Sequence, residues 1–321
     1  MELLQDDKQN QGEFSCETKP YTLADYEAAT PRWCKGCGDH GVLSTLQRLL
    51  LEDQIDPENV VSVSGIGCSS RLPHYLRTYG FHGIHGRALP LSLGVTLARP
   101  ELRVITVMGD GDCFSIGAGH WLHTLRYNPR MLVLVLDNEV YALTKNQASP
   151  TSQKGAVTNT SPYGAYLEGM NPLSVIMGVA GVSFLAQSAT WLPLHLEATI
   201  RRAWNHNGMA FVRIMQRCPV FMPDLFSGQD AVMRFLQHET GVEVDPLVAR
   251  RGELVTHDPQ DLDAAQKLAR VANPMPMGLI YHNPNVPSYG EVRNGRVKKV
   301  GSQELISKMD AMLDKYTVQL D

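Results

Sequence analysis

The chain has 321 residues, 43% of them hydrophobic and 19% charged, with a formal net charge of −4. That balance suits a soluble globular protein of one large or two ordinary domains and argues against nucleic acid as a main partner. No run approaches the roughly 18 apolar residues of a membrane span, and the acidic N-terminus MELLQDDKQNQGEF lacks the basic and apolar regions of a secretory signal. Six cysteines without an export signal point to a reducing, cytoplasmic setting, where thiols bind metal more often than they pair.

In chain order, residues 1–20 are polar and aperiodic and read as an arm, in which Cys16 is incidental. Cys34-Lys35-Gly36-Cys37-Gly38 precedes Val42, Leu43, Leu46, Leu49 and Leu50 at helical spacing, so this CxxC opens a helix. The first strand is 60–63 and ends on Ser64-Gly65-Ile66-Gly67-Cys68; a loop follows around His82–Arg87, and 88–98 reads as a buried helix. Next comes a β-branched run, 104–108, that ends on Gly109-Asp110-Gly111-Asp112. Ile116, His120, Leu122 and Leu125 then repeat at helical spacing up to a breaker at Asn128-Pro129, and a second apolar run, 131–136, ends on Asp137-Asn138. Such a strand–helix–strand crossover makes the two strands parallel, so both stop on the sheet edge where open α/β sheets bind ligands. The segment 147–163 is a polar loop near that site, and 182–186 and 211–215 are strands around a helix at 192–205, with Cys218 directly after. Past Pro223 the character changes to helices around 229–239 and 261–271, a proline-punctuated stretch, and an amphipathic helix at 303–316. The fold expected is α/β: an open, mostly parallel sheet at 21–222, with a helical and loop-rich C-terminal extension at 223–321 that packs on the core or on a partner.

Asp110 and Asn138 fall at neighbouring strand ends. Glycines beside Asp110 let backbone N–H groups approach a phosphate, but its carboxylate would repel a bare diphosphate, so a cation between them resolves the conflict. Magnesium suits that place, with the Asp110 carboxylate, the Asn138 side-chain oxygen and a backbone carbonyl at Val140 as its protein ligands. The dinucleotide fingerprint fails, because Phe114 stands where its third glycine belongs, and no P-loop pattern occurs. A turn that uses Gly-Asp-Gly for its dihedrals alone would leave the matching Asp-Asn unexplained.

Cys68 and Cys218, each directly after a strand, share the predicted edge with Asp110 and Asn138, and with the Cys34–Cys37 pair four thiolates could close a site there. Their dispersed spacing leaves structural zinc, a thioredoxin-type dithiol and an iron–sulfur cluster as open readings, although zinc prefers two CxxC pairs and the thioredoxin motif follows a strand. Cys113 reads as a buried, small apolar side chain.

Gly109-Asp110-Gly111 followed by Asn138 resembles the thiamine diphosphate motif. The wider set of Trp33–Gly38, Ser64–Ser69, His85-Gly86-Arg87-Ala88 and Asp137–Thr144 resembles the β subunit of 2-oxoacid:ferredoxin oxidoreductases, with the likeness running from about Tyr21 to Pro223. The resemblance implies thiamine diphosphate, Mg2+ and one 4Fe–4S cluster, the last on Cys34, Cys37, Cys68 and Cys218. It implies cofactor contacts from Ile66, Gly67, Cys68 and Ser69, from the histidine position at His85, from Gly109 to Asp112, from Asn138, and from Ala142, Leu143 and Thr144. The family often has glycine where Ala142 stands and proline where Lys35 stands; a cation at Lys35 should raise the cluster potential. His85 as a merely hydrogen-bonded loop histidine is the competing reading.

The activity implied is CoA-dependent oxidative decarboxylation of a 2-oxoacid with ferredoxin reduction. No catalytic residue is assigned in this chain: the glutamate for the aminopyrimidine belongs to the α subunit in this family, so a heterodimer, or two of them, is implied. The Tyr141–Lys145 loop resembles the 2-oxoglutarate type more than the pyruvate type, and Arg71 and Lys145 are candidates for the far carboxylate. The Arg293, Arg296, Lys298 and Lys299 run is a candidate landing patch for ferredoxin. The alternatives are a pyruvate or broad-range enzyme, a non-redox thiamine diphosphate decarboxylase, and a zinc-stabilised non-catalytic subunit.

Overall fold

The computed structural model describes residues 20–226, 232–296 and 302–316. Cys16, Lys298 and Lys299 lie outside them, as do most of the predicted arm and the last residues of the chain. The strands are β1 (Val60–Ser64), β2 (Tyr79–His82), β3 (Arg103–Gly109), β4 (Met131–Asp137), the two-residue β5 (Val140–Tyr141) and β6 (Gln147–Ala148), β7 (Phe184–Ala189), β8 (Met209–Met215), β9 (Met233–Gln237), β10 (Gly252–Thr256) and β11 (Met275–His282). All but β5 and β6 join one sheet of order β10-β9-β11-β7-β8-β4-β3-β1-β2.

The six strands from β7 to β2 are parallel to one another. The junction of β7 with β11 is antiparallel, and β9 and β10 run parallel to β11. Alternate residues of a strand face opposite sides of the sheet, and the core divides accordingly. From β4, Leu132, Leu134 and Leu136 pack under α1 (Asp39–Glu52) and α5 (Pro193–Trp204). Met131, Val133 and Val135 face the other way, onto the side covered by α2 (Ala88–Ala98), α3 (Ala118–Tyr127), α4 (Pro172–Ile176) and α7 (Leu262–Ala269). Both faces are covered, so the central strands are apolar throughout rather than alternating. The β3–α3–β4 crossover matches its reading from the sequence: Asn128 ends α3 in the left-handed conformation at φ 43°, and Gly109 pairs with Leu136 across the parallel strands.

Two expectations need correction. The segment read as a helix at 229–239 is strand β9 where it is described: Met233 and Phe235 alternate into the core, and its hydrogen bonds go to β10 and β11. A short apolar run does not distinguish the two periods, and distant strands decided between them. The C-terminal segment thus supplies three strands to the main sheet besides its short helices α6 (Pro246–Ala249), α7 and α8 (Tyr289–Arg296). Helix α2 is not buried as a whole: Ala88, Leu89 and Ser92 are, while Leu91 is exposed. The terminal helix α9 (Ser302–Leu313) forms as expected, with Leu305, Ile306, Met309, Met312 and Leu313 all exposed, so of the two places expected for this face, the core and a partner, it does not take the core. Among the described residues, no helix is long and apolar enough to cross a membrane.

Candidate functional site

Strands β1, β3, β4 and β8 end together. A cleft of about 620 Å³ opens there, between the loops that follow them. Its walls contain every cofactor contact expected from the sequence: Ile66, Gly67, Cys68 and Ser69 after β1; His85; Gly109, Asp110, Gly111 and Asp112 after β3; Asn138 and Val140 after β4; and Ala142, Leu143 and Thr144. Tyr141, Gln147, Thr160 and Gln216 also line it. Tyr141 falls in the Asp137–Thr144 segment and Gln147 and Thr160 in the polar loop expected near the site, whereas Gln216, one residue past β8, carries no local signal. Arg71 and Lys145 do not line the cleft: Arg71 Nε donates to the Tyr75 hydroxyl at 2.8 Å, and Lys145 is exposed.

Glycine is required at two points of these walls. A Cβ on Gly111 would overlap the Tyr141 ring, and one on Gly65 would overlap the Asp112 carboxylate. Asp112 is fully buried, and its Oδ1 accepts from Ile66 N at 3.2 Å and Gly86 N at 2.6 Å and meets His85 Nδ1 at 2.6 Å. One carboxylate thus ties three loops together. Burial raises its pKa, and the hydrogen bonds and His85 oppose that rise. With Nδ1 so engaged, Nε2 is the ring nitrogen of His85 left for a bound group.

The place expected for a cation has an uneven balance of charge. Thr151 Oγ1 stands 3.0 Å from Asp110 Oδ2 and 2.8 Å from Asp137 Oδ1, and one hydroxyl proton cannot serve both. Arg213 Nε donates to Asp137 Oδ2 at 2.7 Å and answers that charge. Burial, with the Asp137 charge next, pushes Asp110 up to about 7, and the same two causes push Glu139 up to about 8. The acidic end of the cleft is therefore short of positive charge, which fits a divalent cation held by Asp110. Asn138 Oδ1 accepts from Val140 N at 3.2 Å, a local turn that sets both groups at the strand end.

The four cysteines come to the same edge from separate segments. Gly38 packs against Thr190 just past β7, where a Cβ would clash. Gln216 Nε2 donates to Cys37 Sγ at 3.4 Å just past β8, and Trp33 Nε1 donates to the Cys68 carbonyl at 2.7 Å. Phe221 N donates to Cys218 Sγ at 3.4 Å. Burial pushes the Cys68 thiol up to about 12, with Asp39, Cys218 and Cys34 adding to it, and Cys37 is raised by burial, Asp39 and Cys68. Among the described residues, no three His, Cys, Asp or Glu side chains close on a single ion. Thiolates arranged around a cubane stand farther apart than the ligands of one ion, and N–H donors to sulfur suit a cluster, so this donor set fits one. Cys113 is buried, as read from the sequence.

A second cleft of similar volume lies behind the Thr151 wall, lined by Glu139, Gln187 and Arg213 among others; none of the strand-end glycine loops reaches it.

Residues 65–214 match the model of the thiamine pyrophosphate enzyme C-terminal TPP-binding domain. The chain is 43% identical to a Mycobacterium tuberculosis 2-oxoglutarate oxidoreductase subunit KorB over 222 residues, which span 69% of this chain and 57% of that protein. It is 37% identical to a Sulfolobus 2-oxoacid:ferredoxin oxidoreductase subunit beta over 269 residues, 82% of this chain and 87% of that one. The structure of a 2-oxoglutarate:ferredoxin oxidoreductase from Magnetococcus marinus, with 2-oxoglutarate, coenzyme A and succinyl-CoA bound, matches at a TM-score of 0.75 and 33% identity, covering 91% of this chain and 97% of that one. Strand-end loops, cleft and relatives agree, and the chain belongs to the β subunits of the 2-oxoacid:ferredoxin oxidoreductases.

Proposed function

We propose that this chain is the β subunit of a 2-oxoglutarate:ferredoxin oxidoreductase, which takes 2-oxoglutarate, CoA and oxidised ferredoxin to succinyl-CoA, carbon dioxide and reduced ferredoxin. The observation that carries the reading is the double position of Cys68. It lines the cofactor cleft, and its thiol lies within charge range of Cys34, Cys37 and Cys218. Chemistry in the cleft and an outlet for electrons thus share one loop.

Bound thiamine diphosphate would supply a carbanion nucleophile and an electron sink. Asp110, Asn138 and the Val140 carbonyl would hold Mg2+ against its diphosphate. Gly109 and Gly111 would leave room for that diphosphate, and Ala142, Leu143 and Thr144, which line the same cleft, would contact it. His85, fixed by Asp112, would accept or donate a proton at Nε2. Cys34, Cys37, Cys68 and Cys218 would hold a 4Fe–4S cluster. Arg71, next in the chain to the Cys68–Ser70 loop, and Lys145, next to Thr144, are the cations proposed for the distal carboxylate.

Among the described residues, no glutamate lines the cleft. Membership of the β-subunit family gives the aminopyrimidine's carboxylate to an α subunit, and the assembly proposed is a heterodimer or a pair of them. Four thiols kept reduced at one edge also suit a cytoplasmic setting.

The test is anaerobic co-purification with the α subunit. The complex should be brown, with about four irons per β chain, and should reduce viologen faster with 2-oxoglutarate than with pyruvate. A colourless complex that binds thiamine diphosphate would support a non-redox decarboxylase instead. A colourless zinc protein without that affinity would overturn the reading entirely.

A further inference from the structure

Strand β8 ends at Met215, and the residue after it is tied to both sides of the strand-end edge. Gln216 N donates to the Asp137 carbonyl at 2.9 Å, which carries the β4–β8 pairing one step past the strands. That bond fixes the Gln216 backbone beside the Asp137-Asn138 turn. The side chain lines the cleft with Asp110, Asn138 and Cys68. It is nonetheless buried, at 2% exposure, and its Nε2 donates to Cys37 Sγ at 3.4 Å. Gln216 therefore joins the wall of the cleft to the thiols.

The surroundings say which end of the amide is needed at the sulfur. Asp39 is fully buried, with Oδ2 3.3 Å from Cys37 Sγ, and the Gln216 amide faces the same carboxylate. A free thiol donates its proton to that carboxylate. A sulfur bound to iron has no proton to give, and the same contact then sets two negative groups against each other. Turning the amide over would add Oε1 to that group, oxygen against negative charge, so the N–H end is the one that fits. The orientation leaves Oε1 buried and without a donor among the described residues. Among the same residues, Gln216 is the side chain that donates to any of the four sulfurs; Phe221 reaches Cys218 from the backbone.

We infer that Gln216 is a positioning residue that raises the reduction potential of the cluster, by holding an N–H on the Cys37 sulfur from the cleft side; this rests on the function proposed above. The reduced cluster carries one more negative charge than the oxidised one, so the same donor binds it more strongly, and hydrogen bonds to sulfur are among the terms that set such potentials. Asp39 acts in the opposite direction, since a buried carboxylate beside a ligating sulfur disfavours the added electron. The amide offsets it without bringing in a second charge. The electron comes from the oxidation in the cleft, and Gln216 neither gains nor loses a proton. A neutral side chain in the shared wall thus makes the cluster a better acceptor for electrons that leave the cleft.

The experiment is an anaerobic redox titration of the intact complex with its partner subunit, read by electron paramagnetic resonance of the reduced cluster. Parent, Gln216→Met and Gln216→Asn complexes are compared. Methionine keeps the length of the side chain and removes the N–H. At a fixed applied potential the reduced-to-oxidised ratio should fall about tenfold in Gln216→Met, which for a one-electron couple is a potential about 59 mV lower. Gln216→Asn keeps an amide but withdraws it from the sulfur, and its ratio should fall in the same way. Iron should stay at about four per β chain in all three. A Gln216→Met ratio within twofold of the parent overturns the inference. So does a Gln216→Asn complex at the parent potential, because polarity at that spot, not a bond to sulfur, would then set it. Loss of iron from the Gln216→Met complex overturns it too, since the side chain would be building the cage instead of tuning it. A parent complex with no cluster signal on reduction overturns the proposed function first, and this inference with it.

Discussion

Replacing Asp112 by alanine tests whether one buried carboxylate holds the cleft together. Its Oδ1 satisfies the backbone N–H groups of Ile66 and Gly86, which belong to different loops. The Gly86 bond is buried and the Ile66 bond partly so. A buried donor left unmatched costs about 1–3 kcal/mol, and a partly wetted one less, so the two together should cost about 2–4 kcal/mol locally. If that energy opens the loops without unfolding the sheet, amide exchange speeds up by roughly 30- to 900-fold. Hydrogen–deuterium exchange read by mass spectrometry on peptides spanning 64–68 and 85–88 measures this directly. Strands β4 and β8, far from the lost bonds, should keep their protection. Asp112→Asn keeps an acceptor oxygen and should stay within about tenfold of the parent. The same geometry predicts coupling: Gly65→Ala should be damaging alone, since its methyl meets the carboxylate, and much milder beside Asp112→Ala. Unchanged exchange in both peptides of the alanine variant would refute the clamp.

Gly111→Ala should lower thiamine diphosphate affinity by at least about tenfold, because the new methyl displaces Tyr141 into the cleft; a fluorescence titration of the purified complex measures it. Arg213→Met leaves Asp137 charged and buried without its 2.7 Å partner, so denaturant unfolding should show a loss of about 3–5 kcal/mol. Adding Asp137→Asn should recover most of it, and a double variant no better than the single would argue against the pairing. His195 is buried with a pKa near 4, lowered by desolvation, against about 6.5 when unfolded. Its contribution is therefore fully present above pH 6.5 and is lost as the pH falls towards 4, amounting to about 2 kcal/mol by pH 5. Other groups titrate in that window, notably Asp39, raised by burial to about 6 and acting in the opposite direction. The difference between parent and His195→Leu isolates the term: the variant's deficit at pH 7, from its lost bond to Ser188, should shrink by about 2 kcal/mol at pH 5. A deficit that is the same at both pH values would contradict it.

Much of the cleft was legible in the sequence because its parts are local. A β-branched run ending on Gly-Asp-Gly, a helical period, and a second run ending on Asp-Asn each declare themselves within a few residues. The crossover rule then places both strand ends side by side. The motif loops needed no tertiary information to be found, only to be brought together. Where the sequence misled, the deciding contacts were distant. Residues 233–237 carry too short an apolar run to show a period, and pairing with β10 and β11 made them a strand. Edge strand β2 is exposed along its whole length and shows no alternation to read.

By itself, then, the chain determined which segments could become strands, where glycine had to stand, and which oxygen- and sulfur-bearing side chains lay at strand ends. Only the tertiary structure decided that Asp112 clamps three loops rather than simply facing a cofactor. It alone showed that Thr151 bridges two carboxylates, and that Gln216 reaches Cys37 across 179 residues of chain. The physical reason is range. Periodicity and turn chemistry act over a few residues, whereas sheet order, buried charge and side-chain hydrogen bonds are fixed by groups that meet only when the whole core has closed.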